Sequence, residues 1–427
     1  MSWTPFRAGA PSRRRAAPRR LPAGLCLAVT LAAGPVEAAP VTFAAALKLA
    51  EDQAPELQAG ALQVEAARSA ARAAGALPDP KLQMSLENLP ISGPDAGRLD
   101  AEAMTMARVG LMQELPNGAK RRAERDRAGI DVAAAQADRR AVSRDVRVAA
   151  AGAWIDLYYA QRRLRALDEA VSTLTPLWDA AFAGVASGAS RPAAAPEAQR
   201  LRADLEDRRS ELVAEVASAR ARLARWTGDP QVEAAGAAPP LEFDAAALRA
   251  ELERHPSLAA LDAATRQAGA EVALARAGKR PDLGLELAYQ RRDPMFGDMV
   301  SVGVTVSLPI FAKTRQDPII AARVATAGQA RARREAAGRA LTSELEQGLA
   351  DYAMRREQWL RARDTLLPLA RTRADLETAS YGAGRAGVVE VTEALTGRAD
   401  AQLTLLEREA ALARAAVRLT HAFGSDQ

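Results

Sequence analysis

Apolar and polar positions along the chain follow two periods in turn. From Phe43 to Ala76 the apolar residues Leu47, Ala50, Leu57 and Val64 recur at helical spacing, and Pro78 with Pro80 ends the pattern. Alternation then sets in: Leu82, Met84 and Leu86 against Lys81, Gln83, Ser85 and Glu87, a period of two that predicts a strand near residues 81–88. Asn88 to Ala103, rich in Pro, Gly and Asp, reads as a loop. A return strand near 104–115 places Val109, Leu111 and Leu115 on one face and Arg108, Gly110 and Glu114 on the other. Ala119 to Ala183 follows with one internal proline, Pro176, and predicts a helix on the order of 100 Å long. Such a helix buries its stripe only against company, which Arg191 to Gly228 supplies as an antiparallel return.

The same pattern then repeats. Ala46-Leu47 through Pro55-Glu56-Leu57 returns as Ala247-Leu248 through Pro256-Ser257-Leu258, and Leu77-Pro78-Asp79-Pro80-Lys81-Leu82 as Gly278-Lys279-Arg280-Pro281-Asp282-Leu283, both 201 residues on. Further along, Val109-Gly110-Leu111 and Leu115-Pro116 answer Val302-Gly303-Val304 and Leu308-Pro309, so the second copy is eight residues shorter between its strands. Those strands fall near 282–290 and 299–308, with Leu283, Leu285, Leu287 and Tyr289, then Val300, Val302, Val304, Val306 and Leu308, on apolar positions. Pro318 to Tyr381 and Val388 to Phe423 repeat the helical hairpin. The chain divides into a first helix-strand-strand-helix-helix repeat at 39–228, a linker at 229–247 and a second repeat at 248–427. The predicted class is mainly α with membrane β.

Strands of about ten residues with one apolar and one polar face have the pattern of a β-barrel wall, lipid outside and water inside. Four cannot close a barrel, since bacterial barrels start at about 8 strands. Several chains must therefore share one, and three chains would supply twelve strands.

Composition extends this reading. Aromatic residues are 4% of the chain while Ala and Arg abound, which suits long helices better than thick cores. Arg7, Arg13, Arg14, Arg15, Arg19 and Arg20, the apolar run Leu21 to Ala33 and then Val36-Glu37-Ala38 read as a signal peptide over residues 1–38, cleaved after Ala38. The apolar run is shorter than the roughly 20 residues of a spanning helix. Ser12-Arg13-Arg14 hints at twin-arginine export, but the apolar residues that should follow directly are missing.

Removing six Arg and Glu37 from 58 basic and 53 acidic residues leaves 52 of each, so the mature chain is near neutral and nucleic-acid binding loses its basis. Cys26 leaves with the signal, which excludes disulfides and cysteine chemistry from the mature chain. His255 and His421 remain, read as packing or surface residues, too few for a fixed metal site. No phosphate loop or nucleophile elbow occurs, so neither an enzyme nor a cofactor is expected. No later stretch reaches 18 uninterrupted apolar residues, and any membrane span must be β.

The signal peptide, the duplicated unit, Leu-Pro at both strand exits and a Tyr-x-x-Gly turn together resemble the TolC family of outer-membrane efflux proteins, over about Val41 to Gly424. Leu77 to Leu82, Glu87-Asn88-Leu89-Pro90 and Met112 to Arg122 are most similar to its CzcC/CusC branch, which serves heavy-metal efflux. The resemblance implies a homotrimer in the outer membrane of a Gram-negative bacterium, in contact with outer-membrane lipid. Four strands per chain would enter a shared 12-stranded barrel, continued by a long periplasmic α-helical barrel. It would dock on a periplasmic adaptor (membrane fusion protein) and an inner-membrane efflux pump of the RND type.

The same resemblance places the periplasmic gate at Tyr381 to Glu393. Tyr381 and Gly384 match the Tyr-x-x-Gly motif, and Glu390 and Glu393 fall where the family carries tunnel-lining acidic residues. Their i,i+3 spacing puts both on one helix face, so threefold symmetry would stack two carboxylate rings that favour cations. The family's Arg two residues after the Gly is Ala386 here, with Arg385 beside it. Gly382 and Gly387, and in the first copy Gly184 and Gly188, are expected at adaptor-docking turns. Met104, Met106, Met112 and Met299 are candidate lumen residues, where thioethers would suit Cu(I) or Ag(I) in transit, or serve only as flexible packing. A drug-efflux or type I secretion channel, and a periplasmic adaptor built of helical hairpins, stay open as alternatives.

Overall fold

The computed structural model describes residues 40–188 and 191–424. The signal peptide, its cleavage site and Cys26 lie outside the described residues.

The chain opens with α1 (Phe43–Gln53), where the Thr42 side chain accepts from the Ala45 amide, and α2 (Pro55–Ala73). One helix was expected over Phe43 to Ala76, and Pro55 divides it: it has no amide hydrogen to offer the ladder, and Ala54 before it turns extended at ψ 120°. β1 (Lys81–Glu87) and β2 (Met106–Leu115) form the first hairpin. The second strand starts at Met106 and not at 104, because Thr105 donates to the Asn88 carbonyl and Asn88 Nδ2 to the Met104 carbonyl, closing the loop there.

Leu115-Pro116 leads directly into α3 (Gly118–Ala186), 69 residues with Pro176 inside, and α4 (Ala194–Thr227) returns along it. Buried Leu167, Leu174 and Ala181 of α3 and Ala198, Leu205 and Leu212 of α4 each step by seven residues, the coiled-coil repeat.

The second repeat begins at α5 (Ala245–Glu251), capped by Asp244 inside the stretch expected as linker. A single 3-10 turn separates it from α6 (Pro256–Ala277), again at a proline. β3 (Asp282–Arg291) and β4 (Met299–Ser307) follow, then α7 (Gln316–Arg361), α8 (Leu367–Gly382) and α9 (Val388–Phe423). Between α7 and α8 lies one π turn, Ala362–Leu366. Pro368 has no hydrogen for the Asp364 carbonyl, and the ladder re-registers so that the Leu367 amide reaches Ala362.

The four strands make one antiparallel sheet in chain order. The repeats are joined within it, since β2 pairs with β3 (Leu111 opposite Leu287, Met112 opposite Glu286). At the other end of the strand-to-helix joins, Trp154, Ile155, Leu157 and Tyr159 of α3 pack with Ala46, Leu223, Val232, Ala413 and Val417 in the largest buried cluster. Trp154 Nε1 donates to the Val41 carbonyl at 2.8 Å, and the Phe43 ring meets its indole edge-on at 5.4 Å.

The C-terminal end of α9 is held by side chains of both repeats. Arg144 donates to the carbonyls of Ala422 (2.9 Å) and Gly424 (2.7 Å). His255, buried, caps α6 by accepting from the Ser257 amide at Nδ1, so its hydrogen sits on Nε2, which donates to Ala422 at 2.8 Å.

Candidate functional site: the helical turn and the polar face of the sheet

Helix α8 ends because Gly384, at φ +70°, takes the left-handed conformation that follows a helix C-terminus. Arg385 N–H then reaches the Ser380 carbonyl at 2.8 Å and Gly384 N–H the Tyr381 carbonyl at 2.9 Å, the paired bonds of a Schellman motif. Gly387 opens α9 in extended conformation. A Cβ on Gly387 would sit 2.6 Å from Glu390 Oε2, so the missing side chain makes room for that carboxylate at the positive end of α9.

The turn brings the expected gate residues together. Val388, Val391, Thr392 and Ala394 are buried while Glu390 and Glu393 are exposed on the opposite face of α9. Tyr381 and Arg385 are exposed as well, and neither side chain has a hydrogen-bond or ion-pair partner among the described residues. Val388 packs into the coiled-coil cluster with Trp178 and Ala181, which seats this turn beside the end of α3.

Gly188, at φ +77°, ends α3 as expected of a turn glycine, its amide reaching the Val185 carbonyl at 3.1 Å. Gly184 lies in the last turn of α3, two residues before its end at Ala186, and its carbonyl accepts from the Ser187 hydroxyl at 3.1 Å. Gly382 is the last residue of α8 and faces open space.

At the sheet, one face is apolar and exposed: Leu82, Met84, Leu86, Val109, Leu111, Leu285, Leu287, Tyr289, Val302 (76% exposed) and Val304. Its other face carries Lys81, Ser85, Glu87, Arg108, Gly110, Met112, Glu114, Glu286, Gln290, Ser301, Gly303 and Thr305, as the register requires. Met106, Met112 and Met299 lie on this polar face. Met104 is corrected: it precedes β2 in the loop, and strand parity does not apply to it.

Lys81 pairs with Glu114 at 2.5 Å, and Arg108 joins Glu87 at 3.1 Å and Glu286. Sequence reasoning missed Asn117 as a structural hub. Its Oδ1 accepts from the Lys120 amide to cap α3, while its amides donate to Asp282 at 2.7 and 2.8 Å, tying the root of β3 to the start of the long helix. The signal was Asn-Gly directly after the strand exit.

No helix among the described residues is long and apolar enough to cross a membrane, and no group of three or more His, Cys, Asp or Glu among them is placed to hold a metal ion. What meets the lipid criterion is the sheet. Half-apolar strands with unpaired edges, carried on helices of this length, define one chain's share of a membrane β-barrel joined to an α-helical barrel.

The comparison with known proteins agrees. The outer membrane efflux protein family model matches residues 46–229 and 247–425, and the chain belongs to this family, whose members are efflux channels and not enzymes. It is 28% identical over 367 residues to the cobalt-zinc-cadmium resistance protein CzcC of Cupriavidus metallidurans, covering 84% of each. Among solved structures it resembles a membrane protein from Pseudomonas aeruginosa (TM-score 0.77, 18% identity, 90% of each chain) and CusC (TM-score 0.74, 17% identity, 90% of this chain and 92% of that one). The Campylobacter jejuni CmeC outer membrane channel is similar at TM-score 0.73 and 16% identity, over 90% of this chain and 85% of that one. The TolC-like fold read from the sequence is the fold observed.

Proposed function

We propose that this chain is one third of a homotrimeric outer-membrane channel that passively conducts heavy-metal cations from an RND-type pump and its periplasmic adaptor to the exterior of a Gram-negative cell. The observation that carries the reading is the sheet: four strands, apolar on the outside, with β1 and β4 left unpaired at its edges. An exposed apolar edge strand is a hazard unless another chain covers it, and closure removes the edge altogether. Three copies joined β4 to β1 close the wall.

Metal is favoured as cargo by the 28% identity to a cobalt-zinc-cadmium resistance protein and by the exposed carboxylates at the turn. In the trimer Glu390 and Glu393 form stacked rings around the axis, which lower the energy of a cation in the constriction and raise that of an anion. Tyr381 and Arg385 find their partners across the seam between chains, and opening breaks those contacts. The soft thioethers of Met112 and Met299 line the exit, while Met106 on the same face is buried.

The testing experiment is a deletion strain complemented with the intact gene. Restored resistance to zinc, cobalt or cadmium, together with a detergent-extracted trimer from outer membranes, supports the reading. A strain sensitised only to organic compounds moves the channel to drug efflux, and a protein recovered only in soluble or inner-membrane fractions overturns the channel.

A further inference from the structure

Six charged side chains lie on the polar face of the sheet, and their pairing is uneven. Lys81 balances Glu114, and Asp282 at the root of β3 is held by Asn117 with Lys120 at 3.9 Å. The other three form one group, in which the Arg108 guanidinium spends one terminal nitrogen on Glu87 and the other on Glu286. One cation between two carboxylates leaves a net charge of −1.

Glu286 lies beside glycines of two neighbouring strands. A Cβ on Gly110 would lie 3.4 Å from its Oε1, and one on Gly303 would lie 3.6 Å from its Cβ and 3.7 Å from its Oε2. β2 and β4 thus place glycine beside this carboxylate, which lies within reach of Arg108 and opposite Met112 in the β2–β3 pairing. Glu87 is steadied separately, by Ser85 at 3.0 Å.

We infer that Glu87, Arg108 and Glu286 form, in the assembled barrel, a collar of three triads with one uncompensated negative charge each, a second cation-selective element separate from the glutamates of the turn. The inference rests on the proposed trimeric channel. The collar sits beyond the start of α3 and the turn packs beside its end, so the two are on the order of 100 Å apart. The Debye length is about 30 Å at 0.01 M salt and about 3 Å at 1 M, so the two charge sets act independently even at low salt. Charge on a low-dielectric wall raises the local concentration of counter-ions. The collar therefore keeps cations in excess in the barrel after they have passed the turn.

The test reads the K⁺/Cl⁻ permeability ratio of the purified full-length trimer in planar bilayers under a KCl gradient at low salt. With collar charge as the only variable, the ratio is expected to fall in the order Arg108→Gln, wild type, Glu286→Gln, then Glu87→Gln with Glu286→Gln, and the spread to collapse at 1 M salt. Variants that conduct with one common ratio overturn the collar. A wild-type trimer that forms no pore overturns the channel reading and the collar with it. The collar residues are left untouched in a second measurement: Glu390→Gln with Glu393→Gln is expected to retain part of its cation preference at low salt. Complete loss of that preference overturns the inference.

Discussion

At the scale of single residues, protonation of His255 is costly in the folded chain for a geometric reason. Its Nδ1 already accepts the Ser257 amide, so an added proton breaks the cap of α6, and it brings a charge beside Arg144 at the positive end of that helix. Burial foremost, then Arg144, holds its pKa below the usual value, against the opposing pull of the Ala422 carbonyl, Asp145 and Glu344. His421 is shifted the same way, by burial and then by Arg147 and Arg144, with Glu51 opposing. Because the folded-state values are depressed, the unfolded chain binds more protons. Both contributions are complete above about pH 6.5 and are lost as pH falls through the lowered values. Thermal melts between pH 8 and 5 are expected to show this loss, and His255→Asn, which keeps a capping side chain, to flatten it. At the turn, Gly384→Ala forces a Cβ into the left-handed region and is expected to cost about 1–2 kcal/mol locally, read as faster hydrogen exchange at Arg385 and Ala386. Glu390→Gln with Glu393→Gln is expected to lower the cation preference, seen as a changed reversal potential at a given salt gradient.

At the scale of elements, the seven-residue steps along α3 and α4 locate the stability of the helical hairpin. Leu174→Ala or Leu205→Ala opens a cavity at a buried seam and is expected to destabilise by about 2–5 kcal/mol, read as a lower midpoint of helix unfolding with the sheet still formed. Much of this level was readable from the sequence, and the misses share a cause. The strands and the long helix α3 announced themselves because their periods persist. The break at Ala54 did not, since Leu47, Ala50, Leu57 and Val64 keep helical spacing across it and a proline is equally at home in the first turn of a new helix. The π turn before Pro368 hid within a continuous helical pattern. Gly184 and Gly188 are chemically alike, and only the point where the helix stops tells them apart. His255 was read as packing or surface and does pack, buried against Phe423, but the carbonyl it grips is 167 residues away. Contacts between the repeats are tertiary facts that local patterning does not carry.

At the scale of the whole molecule, the faces of the sheet make opposite demands on substitution. Val302 on the apolar face and Ser301 on the polar face are neighbours in β4. Val302→Arg is expected to cost about 2–4 kcal/mol per chain if it lies near the bilayer midplane, and to deplete the trimer from the outer membrane. Ser301→Arg is expected to leave assembly intact and shift ion preference toward anions; equal behaviour of the two, judged by trimer yield, would contradict the assignment of faces. The pairing of β2 with β3 carries a further consequence. Within a chain it joins two hairpins of duplicated origin, and in the proposed trimer β4 would meet the next chain's β1 in the same manner. That wall would be six hairpins arranged with approximate sixfold symmetry, with covalent continuity across alternate seams. The other end of the chain does not keep that symmetry: the turn at Gly188 has Val185 and Ala194 where the turn at Gly384 has Tyr381 and Glu390, and only Glu393 has a counterpart, Glu197. In the proposed channel, duplication would give a nearly even wall, while the tyrosine and Glu390 would recur three times around the axis instead of six.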